Sequence, residues 1–128
     1  MYKRYCFVLV RDGQDKILMG KRNDTDKYTN PGGGADKGEC PFECAAREFK
    51  EETGVGIQSL KMVKCFLKDD AVMVYLFEGK MPESYEFDTS NDPDLEVDEW
   101  VFVDPFEVID TLHVPIEYNE IIKYWANN

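Results

Sequence analysis

The stretch PGGGADKGECPFECAAREFKEETGV, residues 31–55, carries the reading of the fold. Its second half, Cys40 to Thr53, has helical period. Pro41 suits the first turn, where a proline's missing N–H would be unpaired anyway, and Gly54 supplies the stop. At 3.6 residues per turn, Arg47, Glu48, Glu51 and Glu52 share an arc of about 140°. Phe42, Ala46 and Phe49 fall on the opposite side and are expected in the core. Like charges at i,i+3 and i,i+4 destabilise a helix by about 0.2–0.5 kcal/mol each. A hard divalent cation offsets that repulsion, and oxygen donors suit Mg²⁺ or Mn²⁺. Three glutamates alone would equally fit a solvated acidic face. Immediately upstream, Pro31-Gly32-Gly33-Gly34 releases the backbone from β-carbon sterics, so a loop that approaches a ligand closely is expected there.

Outward from this stretch the chain alternates strand and helix patterns. Tyr5 to Arg11 and Lys16 to Lys21 are apolar-rich runs separated by Asp12-Gly13-Gln14-Asp15 and read as a hairpin. Asn23 to Gly38 is poor in core residues and reads as loop. Leu60 to Leu67 and Ala71 to Phe77 form a second hairpin across Lys68-Asp69-Asp70, followed by an acidic loop from Ser84 to Asp98. Trp100 to Val103 is a short strand, Pro105 to Leu112 a short helix, and Ile116 to Trp125 a longer one. Strands interleaved with helices imply an α/β fold, a mixed sheet with helices packed on it.

The whole chain, 128 residues, fits a single domain with a self-supporting core. Lys and Arg number 15 against 26 Asp and Glu, a formal charge of −11. That balance speaks against duplex nucleic acid as a partner, since such binding rests on clustered Lys and Arg. No apolar run approaches the roughly 18 residues that span a bilayer, and no export signal precedes the first strand, so a soluble cytoplasmic protein is expected. Cys6, Cys40, Cys44 and Cys65 then read as reduced thiols, without the second ligand pair that a zinc site needs. His113, the single histidine, has no nucleophile to serve and reads as a loop or core residue. Trp100, Trp125, Phe102 and Tyr75 read as core.

The spacing Gly33-x5-Glu39-x7-Arg47-Glu48-Phe49-x-Glu51-Glu52-x-Gly54-Val55 resembles the Nudix box, with all seven fixed positions matched. Chance would supply such a match in about one sequence per million. Phe49 stands where an aliphatic residue is usual. The resemblance covers residues 33–55 directly, and the order of elements around it also resembles the family's α/β/α sandwich, a mixed sheet with helices on both faces.

The resemblance implies hydrolysis of a nucleoside diphosphate linked to another moiety, with Mg²⁺ or Mn²⁺. It implies Glu48, Glu52 and the main-chain carbonyl of Gly33 as metal ligands. Glu51 is either a further ligand or the base that orients the attacking water. Arg47 belongs to the catalytic set by pairing with Glu48 or Glu39 and fixing carboxylate geometry. Glu39 supports that pairing. Gly32 and Gly33 would lie against the substrate and Arg22 would contact its phosphate. Family members often add an acid from a later loop, for which Glu96 is the first choice, with Asp98 and Glu99 as competitors. Asn119, in Tyr118-Asn119-Glu120, resembles a purine-binding asparagine of the MutT subgroup. These features favour a MutT-like hydrolase converting a nucleoside triphosphate to the monophosphate and pyrophosphate. ADP-ribose, dinucleoside polyphosphates and capped nucleic-acid ends stay open as substrates, as do a nucleotide-binding sensor without turnover and an acidic interaction module over residues 83–120. The apolar hairpin edges permit a homodimer.

Overall fold

The computed structural model describes residues 3–92 and 97–128. Strand β1 (Lys3–Val10) occupies the centre, and Cys6 to Val10 are buried on both of its faces. It pairs in parallel with β6 (Val72–Lys80), placing Lys3 beside Val72 and Phe7 beside Leu76. On its other side it pairs antiparallel with β4 (Gly32–Gly34). Beyond β6 lies the antiparallel β5 (Gln58–Lys68), giving a mixed sheet in the order β4-β1-β6-β5. A second, antiparallel sheet runs β3-β2-β7, built from β2 (Ile17–Arg22), β3 (Tyr28–Thr29) and β7 (Val97–Val103).

Helix α1 (Pro41–Thr53) covers the face of the mixed sheet that carries Cys6, Val8 and Phe77. The opposite face carries Phe7, Leu9, Val74 and Leu76. It packs against Ile17 and Met19 of β2, the short α2 (Pro105–Val108), and Tyr118, Ile121 and Ile122 of α3 (Pro115–Asn127). Helices therefore lie on both faces, as the α/β/α reading expects. Among the described residues no helix is long and apolar enough to cross a membrane.

Three expectations change. The first two strands do not form a hairpin: a single bridge, Arg11 to Ile17, joins them before they part into different sheets. The residues read as a glycine loop form an edge strand, because three residues without side chains still offer backbone groups to β1. Phe42 is 52% exposed, edge-on to Phe77, and the core contacts of α1 come from Cys44, Ala45, Phe49 and Thr53.

The second hairpin forms as expected, through a turn in which Asp69 and Asp70 both have positive φ (55° and 58°) and Ala71 N–H donates to Lys68 O. That geometry is a type I′ turn, which favours glycine at its second central position. Asp70→Gly is expected to raise stability by on the order of 0.5 kcal/mol in urea unfolding, with the midpoint moving and the slope unchanged.

Candidate active site

Helix α1 starts where the Glu43 carboxylate accepts from the Cys40 N–H (3.2 Å) and ends at left-handed Gly54 (φ 77°), whose N–H donates to Lys50 O. Burial of Phe49 fixes the helix rotation, so Arg47, Glu48, Glu51 and Glu52 look over the glycine edge of the sheet. Strand β4 has no side chain to separate them from it. A β-carbon added at Gly33 would lie 2.6 Å from the Glu48 carboxyl carbon.

Arg47 organises the acids. Its Nε and Nη2 donate to the two Glu39 oxygens (2.7 and 2.9 Å), Nη2 also donates to Gly34 O (3.1 Å), and Nη1 donates to Glu48 and Glu51 (3.0 and 3.2 Å). All five guanidinium donors are engaged, a geometry that lysine cannot reproduce. Glu52 Oε1 accepts the Gly32 N–H at 2.7 Å, and its main-chain carbonyl accepts from Trp100 Nε1 at 3.1 Å, tying the end of α1 to both sheets.

The electrostatics follow from this wiring. Arg47, with a smaller contribution from the Asp36 N–H, pulls Glu39 down from an ordinary 4.5 to about 2. Burial pushes Glu48 up, against the pull of Arg47. Glu39 thus keeps its charge to lower pH when folded than when unfolded. Its contribution to stability is present above pH 4.5 and lost as the pH falls towards about 2. Acid titration followed by circular dichroism is expected to show this loss in the parent and a flatter profile between those pH values in Glu39→Gln.

These residues line one end of a cavity of about 690 Å³, together with Gly32, Gly33, Gly34 and Arg22. The β2–β7 ladder slips between Lys21 and Arg22, a bulge of the kind that re-aims a side chain. The Arg22 guanidinium forks onto Asp24 at 2.9 and 2.7 Å. Asn119 does not join the cavity. It is exposed on the outer side of α3 in a shallow hollow with Phe106 and Ile109, because Tyr118, its neighbour, takes the inward position. Glu96 lies outside the described residues. Of its competitors, Asp98 accepts from Asn23 Nδ2 and Glu99 stands opposite Lys21, both exposed on β7. The structure adds residues that the sequence reading passed over: Asp92, buried in the cavity wall, and Lys3, Lys68 and Glu117. Glu117 left a signal, an acid one turn before Ile121 on the apolar stripe of α3.

The site's donors are hard oxygens, and Gly33 leaves open beside the Glu48 carboxylate the space that a β-carbon would fill, so a divalent ion fits this set. Among the described residues no three Asp, Glu, His or Cys side chains yet converge on a single point at ligating geometry. Arg47 holds Glu48 and Glu51 instead.

The model of the NUDIX domain matches residues 1–124. The chain belongs to the Nudix family. It is a Nudix hydrolase, and hydrolases of this family generally use divalent metals such as Mg²⁺ or Mn²⁺. It is 30% identical over 134 aligned positions to an RNA pyrophosphohydrolase of Bartonella quintana (strain Toulouse), covering 80% of this chain and 76% of that one. Among solved structures it resembles a Nudix hydrolase from Nitrosomonas europaea (TM-score 0.77, 17% identity, 99% of this chain and 90% of that one). It also resembles an ADP-ribose pyrophosphatase from Streptococcus suis 89-1591 (TM-score 0.71, 21% identity, 90% and 82% covered). At such identities the likeness concerns the Nudix fold.

Proposed function

We propose that this chain hydrolyses a nucleoside triphosphate to the nucleoside monophosphate and pyrophosphate. The observation that carries the reading is the acid cluster of α1, wired by Arg47 and seated on side-chain-free β4, at one end of a nucleotide-sized cavity. Glu48, Glu52 and the Gly33 carbonyl would hold Mg²⁺ or Mn²⁺. When bound, such an ion supplies the positive charge that neutralises phosphate oxygens and makes water more acidic.

The remaining work belongs to the chain. A water oxygen adds to phosphorus as the bridging P–O bond breaks, and pyrophosphate leaves with the bond's electron pair. Glu51 takes the water's proton, held in position by Arg47 Nη1. Arg22 faces the substrate's phosphates with Asp24 fixing its fork. Glu96, which the family resemblance suggests, would add a further acid. A 5′-triphosphate on RNA presents the same linkage, and the relative named RNA pyrophosphohydrolase favours that second reading.

The test is a panel with Mg²⁺: the four NTPs and dNTPs, ADP-ribose, NADH, a diadenosine polyphosphate and a 5′-triphosphate RNA, following phosphate and pyrophosphate release. Pyrophosphate from NTPs at the highest kcat/KM, abolished by chelator and restored by Mg²⁺, is expected. Full turnover after chelation would overturn the ligand assignment, and a preference for ADP-ribose would overturn the substrate.

A further inference from the structure

Two buried thiols lie beneath the acid cluster, and the hydrolytic chemistry uses neither. All four cysteines are free. Cys40 and Cys65 are exposed, whereas Cys6 of β1 and Cys44 of α1 are enclosed in the core between the mixed sheet and the helix. These two are close enough to share a hydrogen bond, which lowers the Cys6 pKa. Both also meet the glycine edge. Cys6 stands opposite Gly33 in the β1–β4 ladder, and Cys44 Sγ donates to the Gly33 carbonyl at 3.6 Å. A buried cysteine is ordinarily a small apolar filler. Two in mutual contact, on the strand and the helix that hold the site together, can do more.

We infer that Cys6 and Cys44 form a redox switch, in which a hydroperoxide joins them in a reversible disulfide that disables the acid cluster above. The effect on turnover rests on the hydrolase reading; the bond itself does not. In the first step the Cys6 sulfur, the more acidic thiol, attacks one oxygen of hydrogen peroxide. The O–O bond breaks, one water leaves, and a sulfenic acid remains. The Cys44 sulfur then attacks that sulfur, the S–O bond breaks, and a second water leaves. Together the two thiols give up two protons and two electrons as the S–S bond forms, and the peroxide is reduced to two waters.

The oxidant's route and the consequence both follow from Gly33. This residue lines the cavity without a side chain, so main chain alone separates the Cys44 sulfur from the cavity. Hydrogen peroxide, little larger than water, suits that route. An S–S bond is about 2.05 Å long, far shorter than a hydrogen-bonded separation of two sulfurs. Closing the gap draws Cys44 off the Gly33 carbonyl and pulls α1 towards β1. Glu48 sits one turn further along α1, where even a β-carbon on Gly33 would crowd its carboxylate. A displacement of about 1 Å at such a group costs on the order of 100-fold in rate.

The test uses the full chain and the double variant Cys40→Ser/Cys65→Ser, which keeps only the buried pair. After hydrogen peroxide, the intact mass is expected to fall by two hydrogens, with the Cys6 and Cys44 peptides recovered as one cross-linked species. Turnover is expected to drop about 100-fold and Mn²⁺ affinity about 10-fold, and dithiothreitol is expected to restore both. Adding Cys6→Ala to the double variant is expected to abolish the response to peroxide. The cross-linked peptide is read with both thiols in place, so this outcome stands even if the Cys6→Ala protein folds poorly. A non-hydrolysable nucleotide with Mg²⁺ is expected to slow the cross-linking several-fold by filling the cavity. Two thiols that still react with maleimide once the peroxide-treated protein is unfolded would overturn the inference, as would a disulfide that leaves turnover and Mn²⁺ affinity unchanged. Cross-linking that weakens Mn²⁺ binding in a protein that hydrolyses no triphosphate would overturn the hydrolase reading and leave this one intact.

Discussion

Gly33→Ala is expected to lower kcat by about 100-fold while leaving the unfolding free energy within about 1 kcal/mol of the parent. The added methyl would sit 2.6–2.8 Å from the three carboxyl atoms of Glu48. Those atoms are the far end of a flexible side chain, so the clash is relieved by rotating Glu48 away and the fold gives up little. The acid cluster gives up much more, because a displacement of about 1 Å at a positioned group costs on the order of 100-fold. The adjacent Gly32→Ala supplies the contrast. There the methyl would lie 2.1 Å from the Cys6 backbone carbonyl, and Gly32 has φ +153°. Backbone of the central strand cannot rotate away, so Gly32→Ala is expected to cost about 2–4 kcal/mol of stability. Chemical denaturation and Mn²⁺ titration on both variants check the pair. Weakened Mn²⁺ affinity in Gly33→Ala with an intact fold supports the arrangement, and unchanged affinity would refute it.

The contrast also shows where the sequence was legible. Residues 40–54 announce their structure locally: proline in the first turn, a 3.6-residue period, a glycine stop. The structure follows them within a residue or two. The β5–β6 hairpin is equally local, since its turn chemistry sits between its strands. Pairing of β1 is different. Its parallel neighbour begins at Val72, and nothing near residue 10 says that Val10 and Ile17 will enter different sheets. Only the two-sided burial of Cys6 to Val10, visible as an unbroken apolar run, hints at a central strand. The wheel likewise placed Phe42 at the right angle for the core but could not say which turn meets the sheet, and small Cys44 and Ala45 make the close approach. At the site, residues within the box converge because one helix and one strand carry them. Asn119 depended on which side of α3 faces inward, a matter settled by Tyr118, Ile121 and Ile122 packing on a strand more than a hundred residues away in sequence.

Glu52→Gln tests whether the acid cluster works through charge or through shape. The Glu52 carboxylate is structural at one oxygen, where it accepts the Gly32 N–H at 2.7 Å and so holds β4 against α1. Glutamine keeps an acceptor of the same reach at that point, and its loss of charge weakens the bond by only about 1 kcal/mol. The main-chain link from Trp100 Nε1 is untouched by the substitution. What glutamine removes is one negative charge among Glu48, Glu51 and Glu52. If these acids hold a catalytic cation, turnover is expected to fall by at least about 100-fold with the fold retained. A protein that only bound nucleotides would have no turnover to lose. An enzyme relying on Glu52 for architecture alone would keep its rate within a few-fold and lose it in Glu52→Ala, where the Gly32 N–H is left without its acceptor. Measuring kcat, Mn²⁺ affinity and thermal midpoint for both substitutions separates the cases: loss of rate and metal affinity in the glutamine variant assigns the role to charge, and loss confined to the alanine variant assigns it to the strand–helix tie.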